Sequence, residues 1–143
     1  MIYKINNYSS QELNDIITTV CGKKPTIFDR FRKRNFGSTR YLLKDIKSFK
    51  KLSFDFDKMN STYLNFDLWD KGLVFYFRFK NSEYIVTCPY YNTSFQSSDD
   101  IFTLQSDDIV FDFKIINKSK HVKFIKNLYK FKNIYNEKTM EHY

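Results

Sequence analysis

The sequence predicts an α+β domain: an antiparallel sheet of about six or seven strands bent into a half-barrel, preceded by helices and closed by one C-terminal helix. Three observations carry this expectation. Between Leu52 and Ile116, apolar and polar residues alternate with period two, as in strands with one wet face. Ser9 is followed three residues later by Glu12, and Leu13, Ile16, Ile17 and Val20 recur at helical spacing. From Asn117 to Tyr135, the residues His121, Phe124, Ile125, Leu128, Phe131, Lys132 and Tyr135 share one helical stripe, with lysines on the rest. The 143 residues suit a single domain made of a basic helical region (1–51), a sheet (52–116) and a closing helix (117–135).

In chain order, the Ser9/Glu12 capping box and a C-terminal Gly22 bound a first helix over Ser10 to Cys21. Pro25 and Thr26 restart a short helix carrying Ile27, Phe28 and Phe31 on one face, and Asn35-Phe36-Gly37-Ser38 ends it with turn chemistry. Residues 41–52 are ambiguous, since Leu42, Leu43, Ile46, Phe49 and Leu52 suit a helix and Leu43, Asp45 and Lys47 alternate poorly, so either a helix or a strand with a bend is expected. Leu52, Phe54 and Phe56 then form one alternating strand, and Leu64, Phe66 and Leu68 another. Asp70-Lys71-Gly72 makes a hairpin into a strand with Leu73, Phe75, Phe77 and Phe79 on one face. Asn81-Ser82 turns the chain into Glu83 to Cys88, where Pro89 stops it. Two further strands, Ile101 to Gln105 and Ile109 to Ile116, are joined by Ser106-Asp107-Asp108.

The run PYYNTSFQSSDDIFTLQSDDIVFDFKIINKSKHVKFIKNLYKF, strands leading into one helix, resembles the end of bacterial pleckstrin-homology-like domains. The resemblance covers residues 52 to 135 and rests on strand order and the closing helix. It implies binding of lipid headgroups, peptides or proteins, and no chemistry. About forty residues of helical, basic sequence before the sheet depart from that family's pattern.

The composition is globular: 42% of residues are hydrophobic, with three glycines and two prolines. No apolar run reaches membrane length and no signal-peptide pattern follows Met1, so the expected compartment is the cytoplasm. The formal charge of +8 is unevenly spread, with basic ends around an acidic sheet. Abundant Lys, Asn, Ile, Phe and Tyr also follow from an AT-rich genome, which weakens the lysine surplus as a sign of a polyanion partner. Cys21 and Cys88 lack metal-ligand spacing and read as two small buried residues, with a disulfide between them as the alternative.

Catalysis is disfavoured on inventory. Of the two histidines, His142 is next to last and His121 reads as a helix-surface or rim residue. A Cys88/His121 pair can form only through tertiary folding. The doublets Asp99-Asp100 and Asp107-Asp108 read as turns, and Asp55, Asp57, Asp67 and Asp112 as a solvated sheet face, so no metal or other cofactor is expected. The glycine motifs of nucleotide binding do not occur.

The strongest candidate site is the cluster Arg30, Arg32, Lys33, Arg34 and Arg40, rich in arginine where the rest of the chain prefers lysine. A second candidate is a protein interface of Trp69, Tyr76, Tyr90, Tyr91 and Asp67, aromatic side chains beside acidic strand faces. The function expected is therefore non-enzymatic binding of a protein partner, in concrete form an immunity or inhibitor protein masking a toxin or effector. The alternative is peripheral binding of anionic phospholipid or nucleic acid through the Arg30 to Arg40 cluster.

Overall fold

A computed structural model describes residues 1–24, 38–48 and 62–140. Nine strands and two helices lie among them: β1 (Ile2–Lys4), α1 (Ser10–Cys21), β2 (Tyr41–Ser48), β3 (Thr62–Leu64), β4 (Phe66–Leu68), β5 (Gly72–Phe79), β6 (Ser82–Pro89), β7 (Thr93–Ser97), β8 (Ile101–Ser106), β9 (Ile109–Ile115) and α2 (Lys118–Met140). All pairing is antiparallel, in a four-stranded sheet ordered β1-β6-β5-β4 and a five-stranded sheet ordered β3-β2-β9-β8-β7. The α+β class, the antiparallel sheets and the C-terminal helix are those expected. The strands are more numerous than six or seven and are shared between two sheets.

The division has a local cause at residue 65. The stretch Leu64 to Leu68, expected as one strand, breaks at Asn65, so β3 and β4 join different sheets. Ser38 occupies the corner: Phe66 N–H donates to Ser38 Oγ at 2.7 Å, and Ser38 N–H donates to the Phe66 carbonyl at 3.0 Å. Ladder groups that a continuing neighbour strand would take are thereby satisfied by one serine.

Residues 41–48 form β2, the bent strand of the two readings, so the helical description of 1–51 does not extend to them. A bulge between Leu43 and Asp45 inserts one residue into the pairing with β9. Leu43 and Ile46 therefore both point inward although three residues apart, a spacing that imitates a helical turn. The short helix after Pro25, the turn at 35–37 and the strand Leu52 to Phe56 lie outside the described residues. β1 and β7, three and five residues long, were not foreseen.

The core lies between the sheets and is largely aromatic. Phe66, Phe75, Phe102, Phe111, Phe113 and Tyr41 are all fully buried, and Phe124 and Leu128 of α2 join them. Along the α2 stripe, Phe124 and Leu128 are buried and Ile125, Phe131, Lys132 and Tyr135 half-buried, as expected. Asn117 caps this helix, its Oδ1 accepting from Lys120 N–H at 3.0 Å.

A second, smaller cluster sits on the outer face of the four-stranded sheet, where Ile17 and Cys21 of α1 cover Trp69, Val74 and Ile85. The predicted capping box forms on both sides, Ser9 Oγ taking Glu12 N–H and Glu12 taking Ser9 N–H. Cys21 belongs to this outer cluster and Cys88 to the core, so the two face opposite sides of the sheet and are free. Burial pushes the Cys21 thiol up to about 12 and the Cys88 thiol up to about 11. The thiolate is the reactive form. Both thiols are expected to resist an aromatic disulfide reagent at neutral pH in the folded chain and to react fully in denaturant, as absorbance of the released thiolate reports.

Candidate partner-binding face

Strand alternation and register put Tyr63 of β3, Leu42 of β2 and Lys114 of β9 in one row on the outer face of the five-stranded sheet, since Leu42 pairs with both Tyr63 and Lys114. Arg40 precedes this row, and its guanidinium lies over the Tyr63 ring, 5.3 Å from the centroid. Arg40, Leu42, Tyr63, Lys114, Ile115 and Ile116 line one open concavity of about 470 Å³. Among the described residues, neither Arg40 nor Lys114 has a carboxylate at ion-pair distance. The concavity is thus cationic at two points and apolar between them.

Tyr63 also lines a second concavity, of about 340 Å³, together with Ile5, Thr62, Tyr76, Phe77, Arg78 and Glu83. This one belongs to the outer face of the four-stranded sheet. Arg78 and Glu83 are cross-strand neighbours forming an exposed ion pair at 3.9 Å. Tyr76 is raised in pKa by partial burial and by the nearby Asp67 carboxylate. Tyr63 is 54% exposed and Tyr76 48%, so the corner where the sheets meet carries two accessible tyrosines between arginines.

The residues singled out in the sequence divide as follows. Arg40 is exposed and in the cationic concavity, whereas Arg30, Arg32, Lys33 and Arg34 lie outside the described residues. Tyr76 and Asp67 are close together on the outer face, as a joint surface requires. Trp69 and Tyr90 correct the expectation, because both are buried. Trp69 is roofed by α1, and the Tyr90 hydroxyl donates to the Trp69 carbonyl at 2.6 Å while its ring meets Tyr135. Tyr91 is 72% exposed but lies past the Pro89 end of β6, the end that pairs with Gly72 and not the end beside Tyr76. Lys114 and Arg78 were missed. Their signal was present as polar residues in the outward register of strands, but nothing in a sequence says which outward positions of different strands become neighbours.

Acidic residues take hydrogen-bonding roles. Asp107 accepts from Asn92 Nδ2 at 2.6 Å, Asp112 from Thr103 Oγ1 at 2.7 Å, and Asp100 pairs with Lys118 at 3.5 Å. Among the described residues, no group of three or more His, Cys, Asp or Glu side chains could hold a metal ion.

His121 is a second correction, being 5% exposed and not a rim residue. Its Nδ1 lies 2.5 Å from the Tyr41 hydroxyl and its Nε2 2.7 Å from Ser97 Oγ. A serine this close to an imidazole has the spacing of a nucleophile and its base. The proton inventory runs the other way. Tyr41 is fully buried, its ring packed against Phe66, Phe102, Phe113 and Phe124, and His121 Nδ1 is the one acceptor of its hydroxyl among the described residues. A buried hydroxyl donates if it can, so the ring proton sits on Nε2 and is given to Ser97. In that tautomer Ser97 Oγ accepts from His121 Nε2–H.

No family model matches this chain, and neither a curated protein nor a solved structure does. Among the described residues, no helix is long and apolar enough to cross a membrane.

Proposed function

We propose that this chain is a non-enzymatic binding protein whose partner is a protein segment presenting carboxylates beside an apolar or aromatic side chain. The observation that supports it is the Arg40–Tyr63 stack between two open concavities. Tyrosine and arginine are the residue types that dominate interface energetics, and the stack pre-orders both before a partner arrives. Charge complementarity names the chemistry, since Arg40 and Lys114 offer donors to carboxylates while Leu42 and Ile116 offer an apolar floor. The pleckstrin-homology-like resemblance of residues 52–135 accords with a binding role, as does a cytoplasmic setting. An immunity or inhibitor protein that masks a toxin or effector is the concrete form of this reading.

The test is selection from a random-peptide phage library on the folded chain. Enriched peptides are expected to carry Asp or Glu flanking Leu, Phe or Trp. Tyr63→Ala and Arg40→Glu are each expected to weaken them by about 2 kcal/mol, roughly 30-fold, by titration calorimetry. Enrichment without acidic residues, or affinities unchanged in both variants, overturns the reading. Binding of anionic vesicles or duplex DNA that falls steeply with salt, and is lost in Arg40→Glu with Lys114→Glu, would favour the polyanion alternative instead.

A further inference from the structure

We infer that the Tyr41–His121–Ser97 chain of hydrogen bonds is a pH-sensitive latch that holds the start of α2 against the five-stranded sheet and weakens when His121 is protonated. The two bonds tie one helix residue to two strands distant in sequence, β2 through Tyr41 and edge strand β7 through Ser97. The Tyr41 bond depends on a neutral ring with its proton on Nε2, whereas the Ser97 bond needs only that Nε2 proton and is kept when the ring is charged. A second proton can go only on Nδ1, where it meets the Tyr41 hydroxyl that was donating to it. That hydroxyl then loses the one acceptor it has among the described residues, at the tip of a fully buried ring packed against Phe66, Phe102, Phe113 and Phe124. A buried donor left without a partner is penalised far more than an exposed one.

The surroundings add to the effect. The groups packed on the ring are Tyr41 from β2, Ser97 from β7, and Phe102 from β8. Lys118, one turn earlier on α2, pairs with Asp100 of the β7–β8 turn at 3.5 Å, and burial alone shifts the imidazole. No carboxylate of the described residues lies at ion-pair distance from the imidazole. His121 is the fourth residue of α2, near the positive end of the helix dipole, which also opposes an imidazolium. Burial accordingly lowers its pKa. With the latched pKa below that of a free imidazole, the opened state binds more protons as pH falls. The latch is at full strength above about pH 6.5 and is lost as pH drops from there through the lowered value.

The experiment follows the His121 ring nitrogens by NMR in the nitrogen-15-labelled full chain, alongside hydrogen exchange of the α2 amides. At neutral pH, Nε2 is expected to be protonated and Nδ1 not, with a titration midpoint below the free imidazole value. The opening constant of the α2 amides should rise toward a ceiling of about 30-fold between about pH 7.5 and about pH 5. His121→Phe should abolish that rise, with His142 present in both proteins. A proton on Nδ1 at neutral pH, a midpoint at or above the free value, or an equal rise in His121→Phe overturns the latch. Should His121→Phe fail to fold, Tyr41→Phe keeps the ring and removes the hydroxyl that protonation strands. Its His121 midpoint is expected to move up, and an unchanged midpoint overturns the latch.

Discussion

Phe66→Ala is expected to lower the unfolding free energy by about 4 kcal/mol, with a fall in melting temperature of about 15 °C. Phe66 is fully buried at the corner where the two sheets meet, and its ring is the shared neighbour of both sheets and of α2. Phe113 lies 4.9 Å away, Tyr41 5.0 Å, Phe75 5.2 Å and Phe102 5.7 Å, all edge-on, while Phe124 stacks on it at 5.4 Å. Truncation removes the transfer energy of a phenyl ring and leaves a cavity walled by other rings on strands that cannot close in. Aromatic pair contacts are lost as well. Denaturant unfolding followed by the fluorescence of Trp69 checks it, with a shifted midpoint and an unchanged slope. Phe66→Leu keeps most of the volume and is expected to cost less than about 1.5 kcal/mol. A loss below about 1 kcal/mol for Phe66→Ala would mean that the corner can collapse, contrary to the packing described.

Gly72→Ala is the second large effect, expected at about 3 kcal/mol, because an added methyl group has nowhere to go. A Cβ there would come 2.7 Å from Cys21 Sγ, 2.9 Å from the Cys88 carbonyl oxygen and 3.1 Å from Pro89 Cα. Gly72 is where α1 reaches the sheet: Lys71 N–H donates to the Cys21 carbonyl at 2.9 Å and Trp69 N–H to the Gly72 carbonyl at 2.9 Å. Two of the three obstacles are backbone of the paired strand and cannot rotate away. Combining Gly72→Ala with Cys21→Ala should recover only about 1 kcal/mol in a double-mutant cycle, since only the sulfur clash is relieved. Full recovery would locate the strain at α1 alone.

Local rules made much of the fold readable. The Ser9/Glu12 capping box and the glycine after Cys21 delimit α1 because capping is decided within one helical turn. The phenylalanines of β5 alternate without interruption, and Lys80 with positive φ turns that strand into β6 within two residues. β2 reads as ambiguous between a helix and a bent strand for an equally local reason: its bulge changes the period from two to three at the point where the two patterns have to be told apart. Trp69 and Tyr90 were misread for a nonlocal one. An aromatic residue at a strand end is exposed or roofed according to where a distant helix lands, and α1 lands on Trp69.

The sequence by itself determined the α+β class, the positions of both helices, the apolar stripe of α2 and the inward faces of most strands. These depend on periodicity, capping and turn chemistry, which act over a few residues. Only the tertiary structure decided that Ser38 splits the strands into two sheets at Asn65, that Cys21 and Cys88 face opposite sides, that Arg40 stacks on Tyr63, and that His121 reaches Tyr41 and Ser97. Each of these joins residues on separate elements, through sheet register and helix docking. They are fixed by how the whole core packs, a property that no window of sequence contains.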